Sequence, residues 1–263
     1  MKFNEYKNIK AINATFLKAC NQGLQQGYDS YNNLLSFSPA SIAAMNLGSA
    51  VHCYLLEPHL FDAEWCVSEK FDMRTTAGKE AKKAFDEKNI GKNCINEDEF
   101  SLIKTIKSNC YKIESVKNAL DNYDKEQTIE FMLDGLKMKA RIDIVSPNRS
   151  VIIDLKTTKD ASPRAFTSDL VSMGYDIQML HYTYAAMYEK PGPMPHIFVI
   201  AAETNSGEIA SYNIDNIVYS DYTKNRYNAA IKTALTVMEL KERPMKYSKD
   251  IQKLDLPSWT KWE

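Results

Sequence analysis

The sequence lacks several features that mark common protein classes. Its 263 residues include only five cysteines, with no Cys-x-x-Cys pair and no iron–sulfur cluster spacing, so we expect reduced thiols in a cytoplasmic protein. No apolar run is long enough to span a bilayer, and the N-terminus "MKFNEYKNIK" is not a signal peptide. There is no phosphate-binding glycine loop and no repeat. These absences predict a cytoplasmic globular protein without a membrane partner.

An excess of positive charge is also missing. The chain carries 33 Lys and Arg against 34 Asp and Glu, for a net charge of −1. Because nucleic-acid binders often carry a basic surface, any DNA-binding surface here must be local and balanced by acidic surface elsewhere. Hydrophobic residues make up 44% of the chain, which is enough to form a buried core that needs no disulfide or structural metal for stability.

The order of helical and strand patterns predicts an α/β (α+β) fold with a central mixed β-sheet, flanked by helices, and a helical N-terminal half. We expect one domain over residues 1–263. Within it we distinguish a mostly helical part at 1–121, a core at 122–242 and a tail at 243–263. Helices are predicted at 10–34, about 38–58, 76–89, 96–121, 174–189 and 216–242. Strands are predicted in "AEWCVSEKF", "TIEFMLDG", "KMKARIDIV", "SVIIDLKTT", "HIFVIAAET" and "EIASYNID".

Local signals mark several ends of these elements. Ser38 is a candidate N-cap, and Asn96 with Glu99 forms a candidate capping box. The pair Asp134-Gly135 predicts a tight hairpin turn between the first two long strands. Ser162 before a proline predicts another helix start.

Charged side chains recur along two of the neighbouring strands. Because side chains alternate across a strand, "MKARIDIV" is expected to place Ile142 and Ile144 on one face and Asp143 on the other. In "SVIIDLKT", Asp154 and Lys156 share a face. A short turn joins the two strands, so Asp143 and Asp154 are predicted to project on one side with Lys156 beside them.

Two converging carboxylates repel each other unless a cation neutralises them. Mg²⁺ favours a few carboxylates, waters and phosphate oxygens, and it can orient and polarise a phosphate. A lysine beside it can hold the attacking water or offset charge in the transition state. This pattern predicts a phosphodiester hydrolysis site, with Glu130 as a weaker acidic candidate. The alternative is an ion pair on a half-exposed strand.

Other candidate residues lie on helices and in one loop. His52 is either a buried core histidine or a metal ligand, in which case Mn²⁺ suits the site as well as Mg²⁺. Gln178 and Tyr182 are predicted to share one face of a helix. This helix is either an aromatic-rich part of the core, or it places the Gln178 amide and the Tyr182 hydroxyl beside the metal site, where they contact a phosphate. The loop after the last charged strand is either solvated or binds DNA phosphates through Thr157, Thr158, Lys159 and Arg164.

Four stretches in this order resemble a known family. They are "GSAVH" on a helix, "RID" ending one strand, "DLK" ending the next, and "QMLHY" on the following helix. Together they resemble the RecB-type branch of the PD-(D/E)XK nucleases, and most closely the RecE-like exonuclease VIII family of phages and prophages. The resemblance spans roughly residues 38–190.

The resemblance implies a central mixed sheet flanked by helices and a metal-dependent 5′→3′ exonuclease. Such an enzyme digests one strand of linear double-stranded DNA and leaves a 3′ single-stranded overhang for phage-type recombination. Relatives act beside a single-strand annealing protein, often as ring-shaped homo-oligomers. The implied cofactor is Mg²⁺, with Mn²⁺ as an alternative. The implied metal ligands are His52, Asp143, Asp154 and the Leu155 carbonyl; the implied catalytic residues are Asp143, Asp154, Lys156, Gln178 and Tyr182.

The sequence departs from the family at two points, and two other functions remain open. Asp154 stands where Glu is commoner, and we expect a compact, nuclease-only form without the long N-terminal extension of some relatives. An endonuclease or CRISPR-associated nuclease of the same superfamily would use the same chemistry, but the latter usually has cysteines near the C-terminus, and no Cys follows Cys110 here. A non-catalytic recombination accessory protein is expected to have lost Asp143, Asp154 or Lys156, and all three are present.

Overall fold

The structure is a computed structural model that describes residues 3–247. Its strands are β1 (Trp65–Ser68), β2 (Asn93–Asn96), β3 (Asp124–Leu133), β4 (Leu136–Val145), β5 (Val151–Thr158), β6 (His196–Glu203) and β7 (Ile209–Asn213). Its helices are α1 (Phe3–Asn8), α2 (Ala14–Gln22), α3 (Leu24–Tyr31), α4 (Pro39–Leu56), α5 (Pro58–Glu64), α6 (Thr76–Lys88), α7 (Glu97–Lys112), α8 (Glu114–Asn122), α9 (Pro163–Ser172), α10 (Tyr175–Glu189), α11 (Asp215–Val218) and α12 (Asp221–Glu239).

A five-stranded mixed sheet forms the centre of the fold. The strand order is β3-β4-β5-β6-β7, with β5 and β6 parallel and the other neighbours antiparallel. Helices α9 and α10 form the crossover that a parallel pair requires. Strands β1 and β2 form a separate parallel pair. The predicted mixed sheet is therefore confirmed.

Helices cover both faces of this sheet. Apolar residues of α2, α9, α10 and α12 form one buried cluster with one face of the sheet. Residues of α4, α5, α7 and α8 form a second cluster with the other face. The predicted α/β class with flanking helices is therefore confirmed, and the N-terminal half contributes helices to both layers.

The hairpin of β3 and β4 has the tight turn that the sequence predicts. Asp134 (φ 49°) and Gly135 (φ 80°) both adopt the left-handed conformation that suits a two-residue hairpin loop. This turn sets Leu133 opposite Leu136 and so fixes the register along the whole hairpin.

The side-chain alternation on β4 is broken near its end, which corrects one prediction. Ile142 packs in the cluster on one side of the sheet, whereas Ile144 packs in the cluster on the other side. Both residues were expected on one face. Opposite this point, Glu126 adopts a left-handed φ of 51°, so the ladder between β3 and β4 is irregular there. The alternation rule fails because it assumes extended backbone throughout.

Several predicted helices are confirmed, but some are divided. The Ser38 cap and the Asn96–Glu99 capping box are both present. The predicted helix at 10–34 is broken at Gly23, whose φ of 137° suits glycine. The helix at 96–121 is likewise divided at Ile113, and the one at 216–242 is divided into α11 and α12. Of the predicted tail at 243–263, residues 248–263 lie outside the described residues.

The cysteines differ from expectation. Parallel pairing of β1 with β2 sets Cys66 beside Cys94, with Cα atoms 4.8 Å apart, and the two form a disulfide. Five free thiols were expected, because Cys66 and Cys94 are 28 residues apart and form no short cysteine motif in the sequence. Cys20, Cys53 and Cys110 are free and buried. Within residues 3–247, no helix is both long and apolar enough to cross a membrane.

Candidate active site

The predicted acidic residues lie where β4 and β5 separate. The two strands pair only at Ile144–Ile153 and Val145–Ile152. Next to these pairs, Asp143 Oδ2 accepts a hydrogen bond from the Leu155 amide at 2.9 Å. A carboxylate thus takes the place of a backbone partner, and the gap between the strands is lined by polar groups.

Helix α4 brings His52 to this gap. Gly48 lies so close to β5 that an added Cβ would be 3.2 Å from Thr157 Oγ1. One turn later, His52 Nε2 donates to the Leu155 carbonyl at 2.8 Å, and its Nδ1 is 3.6 Å from Asp143 Oδ2. The "GSAVH" stretch therefore places an imidazole beside the first predicted carboxylate.

Glu126 on β3 is an acidic residue of the site that was not predicted from the sequence. His52, Glu126 and Asp143 each offer a ligand atom, and these atoms lie within 4.8 Å of one another. The hairpin register contained the signal, because Leu133 opposite Leu136 sets position 126 opposite 143. Glu130, the weaker candidate, lies outside this cluster: it is exposed and pairs with Lys137 at 3.1 Å.

Asp154 and Lys156 form a buried ion pair. Asp154 has no exposed surface, and Lys156 Nζ is 2.5 Å from its Oδ2, although without the alignment of a hydrogen bond. The lysine also lies over the Tyr175 ring, 4.7 Å from its centroid. An ion pair on a half-exposed strand was the alternative to a catalytic role for these residues. The ion pair is present, but it is buried.

Helix α10 supplies Gln178 and Tyr182, which share a face as predicted. Gln178 Nε2 donates to Asp154 Oδ1 at 3.2 Å and to the Tyr182 hydroxyl at 2.8 Å. Lys18 of α2 donates to Gln178 Oε1 at 3.0 Å. No sequence pattern identified Lys18, because it is 160 residues away from Gln178.

Burial and mutual repulsion shift the pKa values of the site. Burial, together with the Asp154 carboxylate, raises the pKa of Asp143 to about 7. Burial lowers the pKa of His52, but Asp143 and Glu126 outweigh it and raise that pKa to about 9. Burial opposes ionisation of Glu126, yet His52 and Arg141 bring its pKa below the usual value. Before a cation binds, a protonated His52 therefore supplies positive charge among these carboxylates, and it must lose the Nδ1 proton to bind a metal.

The donor set fits a divalent cation. Carboxylate oxygens of Asp143 and Glu126 and the Leu155 carbonyl are hard ligands, which suit Mg²⁺, and the imidazole of His52 suits Mn²⁺ as well. A bound cation would supply the charge that the crowded carboxylates need, and it would polarise a phosphate. Asp154, predicted as a ligand, is adjacent but lies outside this three-residue group and faces Lys156 and Gln178.

The predicted DNA-contacting loop is divided between structural and exposed residues. Thr158 is buried, and its hydroxyl donates to the Asp160 carbonyl at 3.2 Å and lies 3.3 Å from Asp169 Oδ2, so it holds the loop in place. Thr157 is half-buried beside α4. Lys159 and Arg164 are exposed, as contact with a phosphate backbone requires.

Comparison with known sequences identifies one matching family. A model described as "PDDEXK-like domain of unknown function (DUF3799)" matches residues 5–256, which is nearly the whole chain. No curated protein matches the chain significantly.

Two of the solved structures that match this chain are described as exonucleases. One, described as a "Putative exonuclease" from Eubacterium rectale, shares 16% identity and covers 97% of this chain and 94% of its own, with a TM-score of 0.63. A phage-related exonuclease from Haemophilus somnus 129PT shares 18% identity over 62% of this chain and 83% of its own, with a TM-score of 0.33. The first likeness supports the fold, and the second is too distant to carry an argument.

Proposed function

Because the chain belongs to the PDDEXK-like family DUF3799, we propose that it is a metal-dependent nuclease that hydrolyses DNA phosphodiester bonds. One observation carries the proposal. The buried Asp154–Lys156 pair, held by Gln178, lies beside the cluster of His52, Glu126 and Asp143. A lysine and several carboxylates around one gap form the arrangement that phosphodiester hydrolysis needs.

Each residue has a distinct role in this proposal. Asp143, Glu126 and His52 would hold a divalent cation, which would supply the Lewis acidity that polarises the scissile phosphate. Lys156 orients the attacking water or offsets charge developing on the phosphate. Gln178 orients the Asp154 carboxylate through its amide.

We further propose that the substrate is the end of linear double-stranded DNA. The similar fold from Eubacterium rectale is described as a "Putative exonuclease", and the sequence motifs resemble those of RecE-like exonucleases. A chain with a net charge of −1 has no overall excess of positive charge to attract DNA, so we infer that it holds DNA best by enclosing it. We also propose that the protein forms a ring-shaped homo-oligomer and digests DNA in the 5′→3′ direction, which leaves 3′ overhangs. Its partner in this proposal is a single-strand annealing protein.

Digestion of end-labelled linear duplex, compared with covalently closed circles, tests this function. With Mg²⁺ or Mn²⁺ we expect loss of the linear substrate from its 5′ ends, little cutting of closed circles, and no cutting in EDTA. Equal rates on circular and linear DNA would instead indicate an endonuclease. DNA binding without cutting in any metal would indicate an accessory protein.

The proposed cation ligands can be tested by a matched pair of variants on the same strand. Glu126→Gln removes a carboxylate from the cluster, and Glu130→Gln removes an exposed one outside it. We expect Glu126→Gln to weaken Mn²⁺ binding, measured by calorimetry, by about 10–100-fold or more. Removing a group that only hydrogen-bonds to a metal ligand already lowers metal affinity by this factor, and Glu126 is itself a proposed ligand. Glu130→Gln is expected to bind Mn²⁺ like the wild type; equal binding by both variants would remove Glu126 from the site.

A further inference from the structure

Lys18 is a second lysine beside the proposed active site, and no site residue is near it in sequence. It lies on α2, and its ammonium group is 3.0 Å from Gln178 Oε1 and 5.3 Å from the centroid of the Tyr175 ring. Lys156 lies against the same ring. Two cations from distant parts of the chain therefore meet at one aromatic side chain.

The surroundings of Lys18 leave room for this placement. Gly174, which precedes α10, has a φ of 68°, and an added Cβ there would lie 3.0 Å from Lys18 Cγ. The aliphatic part of Lys18 thus lies against a residue without a side chain. Helix α2 itself packs on α10 and α12, and its buried Phe16, Leu17 and Cys20 belong to the apolar cluster on this side of the sheet, which fixes where the ammonium group lies.

The hydrogen bond from Lys18 determines which way the Gln178 amide faces. An ammonium group can only donate, so it requires the carbonyl oxygen of the amide. The amide nitrogen is then directed to Asp154 Oδ1 and the Tyr182 hydroxyl. With the amide reversed, its oxygen would face the Asp154 carboxylate, and no hydrogen bond could form between them.

We propose that Lys18 is a positioning residue, which fixes the Gln178 amide so that it donates to Asp154. This inference rests on the proposed nuclease function and adds a residue from the N-terminal helices to that site. Lys18 acts through Gln178, and Gln178 holds the carboxylate that pairs with Lys156.

Comparison of Lys18→Met with Lys10→Met tests the proposal. Met keeps the length and apolar character of the Lys18 stem, and Lys10 is an exposed lysine of the same N-terminal segment. On linear duplex DNA, Lys18→Met is expected to lower kcat by about 10–100-fold with little change in KM, the range for losing a hydrogen bond that involves a charged group. Lys10→Met is expected to match the wild type. Lys18→Arg keeps a cationic donor and is expected to restore part of kcat.

A double-mutant cycle with Gln178→Ala separates positioning from a general structural role. If Lys18 acts through Gln178, the double variant is no slower than Gln178→Ala alone, because the two losses overlap. Losses that multiply, or a kcat for Lys18→Met equal to that of the wild type, would overturn the proposal. Should Lys18→Met not fold, Lys18→Gln, which is uncharged and one bond shorter, enters the cycle with the same expectations. A wild-type protein that cuts no DNA contradicts the proposed function instead.

Discussion

Asp154 is the most completely buried carboxylate of the proposed site, and its charge is balanced by neighbouring groups rather than by water. Lys156 supplies an opposite charge at 2.5 Å, and Gln178 supplies a hydrogen bond to the other oxygen. Burial lowers the pKa of Lys156, but Asp154 and Asp143 outweigh burial and raise that pKa, so the lysine is protonated. A protonated lysine can orient water and offset charge, but it cannot act as a base until its proton is lost.

Substituting Lys156 by Ala is expected to lower the rate of DNA cleavage by about 10²–10³-fold, the typical cost of losing one preorganised group. Because Asp154 then loses its buried cation, the variant is also expected to lose about 3–5 kcal/mol of stability without metal. Cleavage is therefore measured by single-turnover digestion at a temperature where both proteins are folded.

Lys159→Ala is the matched control, since Lys159 is exposed three residues further along. It is expected to weaken DNA binding and its salt dependence while cleavage of bound DNA continues. If Lys156→Ala digests linear duplex as fast as the wild type, the pair with Asp154 has only a structural role.

Among the helices, α3 illustrates how the N-terminal part is held against the rest of the fold. It packs on α2 and α12, and its Gly27 lies at the crossing. An added Cβ at Gly27 would be 2.8 Å from Cys20 Sγ and 3.1 Å from Val237 Cγ2. The absence of a side chain therefore lets the three helices approach, and α2 is the helix that carries Lys18.

The substitution Gly27→Val is expected to lower the free energy of unfolding by about 1–3 kcal/mol, because overpacking outweighs the small gain in helix propensity. Urea denaturation measures the change. Gly192→Val serves as the control, since an added Cβ at Gly192 meets no atom closer than 4.0 Å, and its effect is expected within about 0.5 kcal/mol. Equal stability of the two variants would contradict the close packing at Gly27.

Across the whole molecule, a buried histidine connects sheet and helices. His181 of α10 accepts a hydrogen bond from the Tyr227 hydroxyl of α12 and donates one to the Lys139 carbonyl of β4, each at 2.9 Å. It has no exposed surface. Burial lowers the pKa of His181 to about 4, so the neutral imidazole is the form that fits.

Because the pKa of His181 is lowered in the folded protein, we expect the free energy of unfolding to fall in mild acid. Between pH 6.5 and 4 the unfolded chain binds a proton that the folded protein does not, so stability falls as pH falls through that window and is fully present above it. From pH 7.5 to 5 the loss from this group is about 2 kcal/mol. Urea denaturation of the wild type and His181→Gln at both pH values measures it.

His59→Gln is the control for that experiment, because His59 is exposed. We expect the fall in stability between the two pH values to be smaller in His181→Gln by about 2 kcal/mol and unchanged in His59→Gln. The same fall in all three proteins would show that other groups cause the acid sensitivity.

The features determined by the sequence alone are those that depend on neighbouring residues. The Asp134-Gly135 turn and the Asn96–Glu99 capping box both follow from local backbone preferences, and each was predicted correctly. The register of the β3–β4 hairpin also follows from the turn. The register alone could therefore have identified Glu126 as the residue opposite Asp143. Its proximity to His52 could not have been predicted in this way.

Only the tertiary structure decided which groups meet in the gap between β4 and β5. Lys18 reaches Gln178 across 160 residues because α2 docks on α10, and no local pattern encodes where one helix packs on another. The face change between Ile142 and Ile144 likewise depends on the irregular partner strand. Burial of the Asp154–Lys156 pair was decided in the same way, since two helical layers must close over the sheet before water is excluded from the pair.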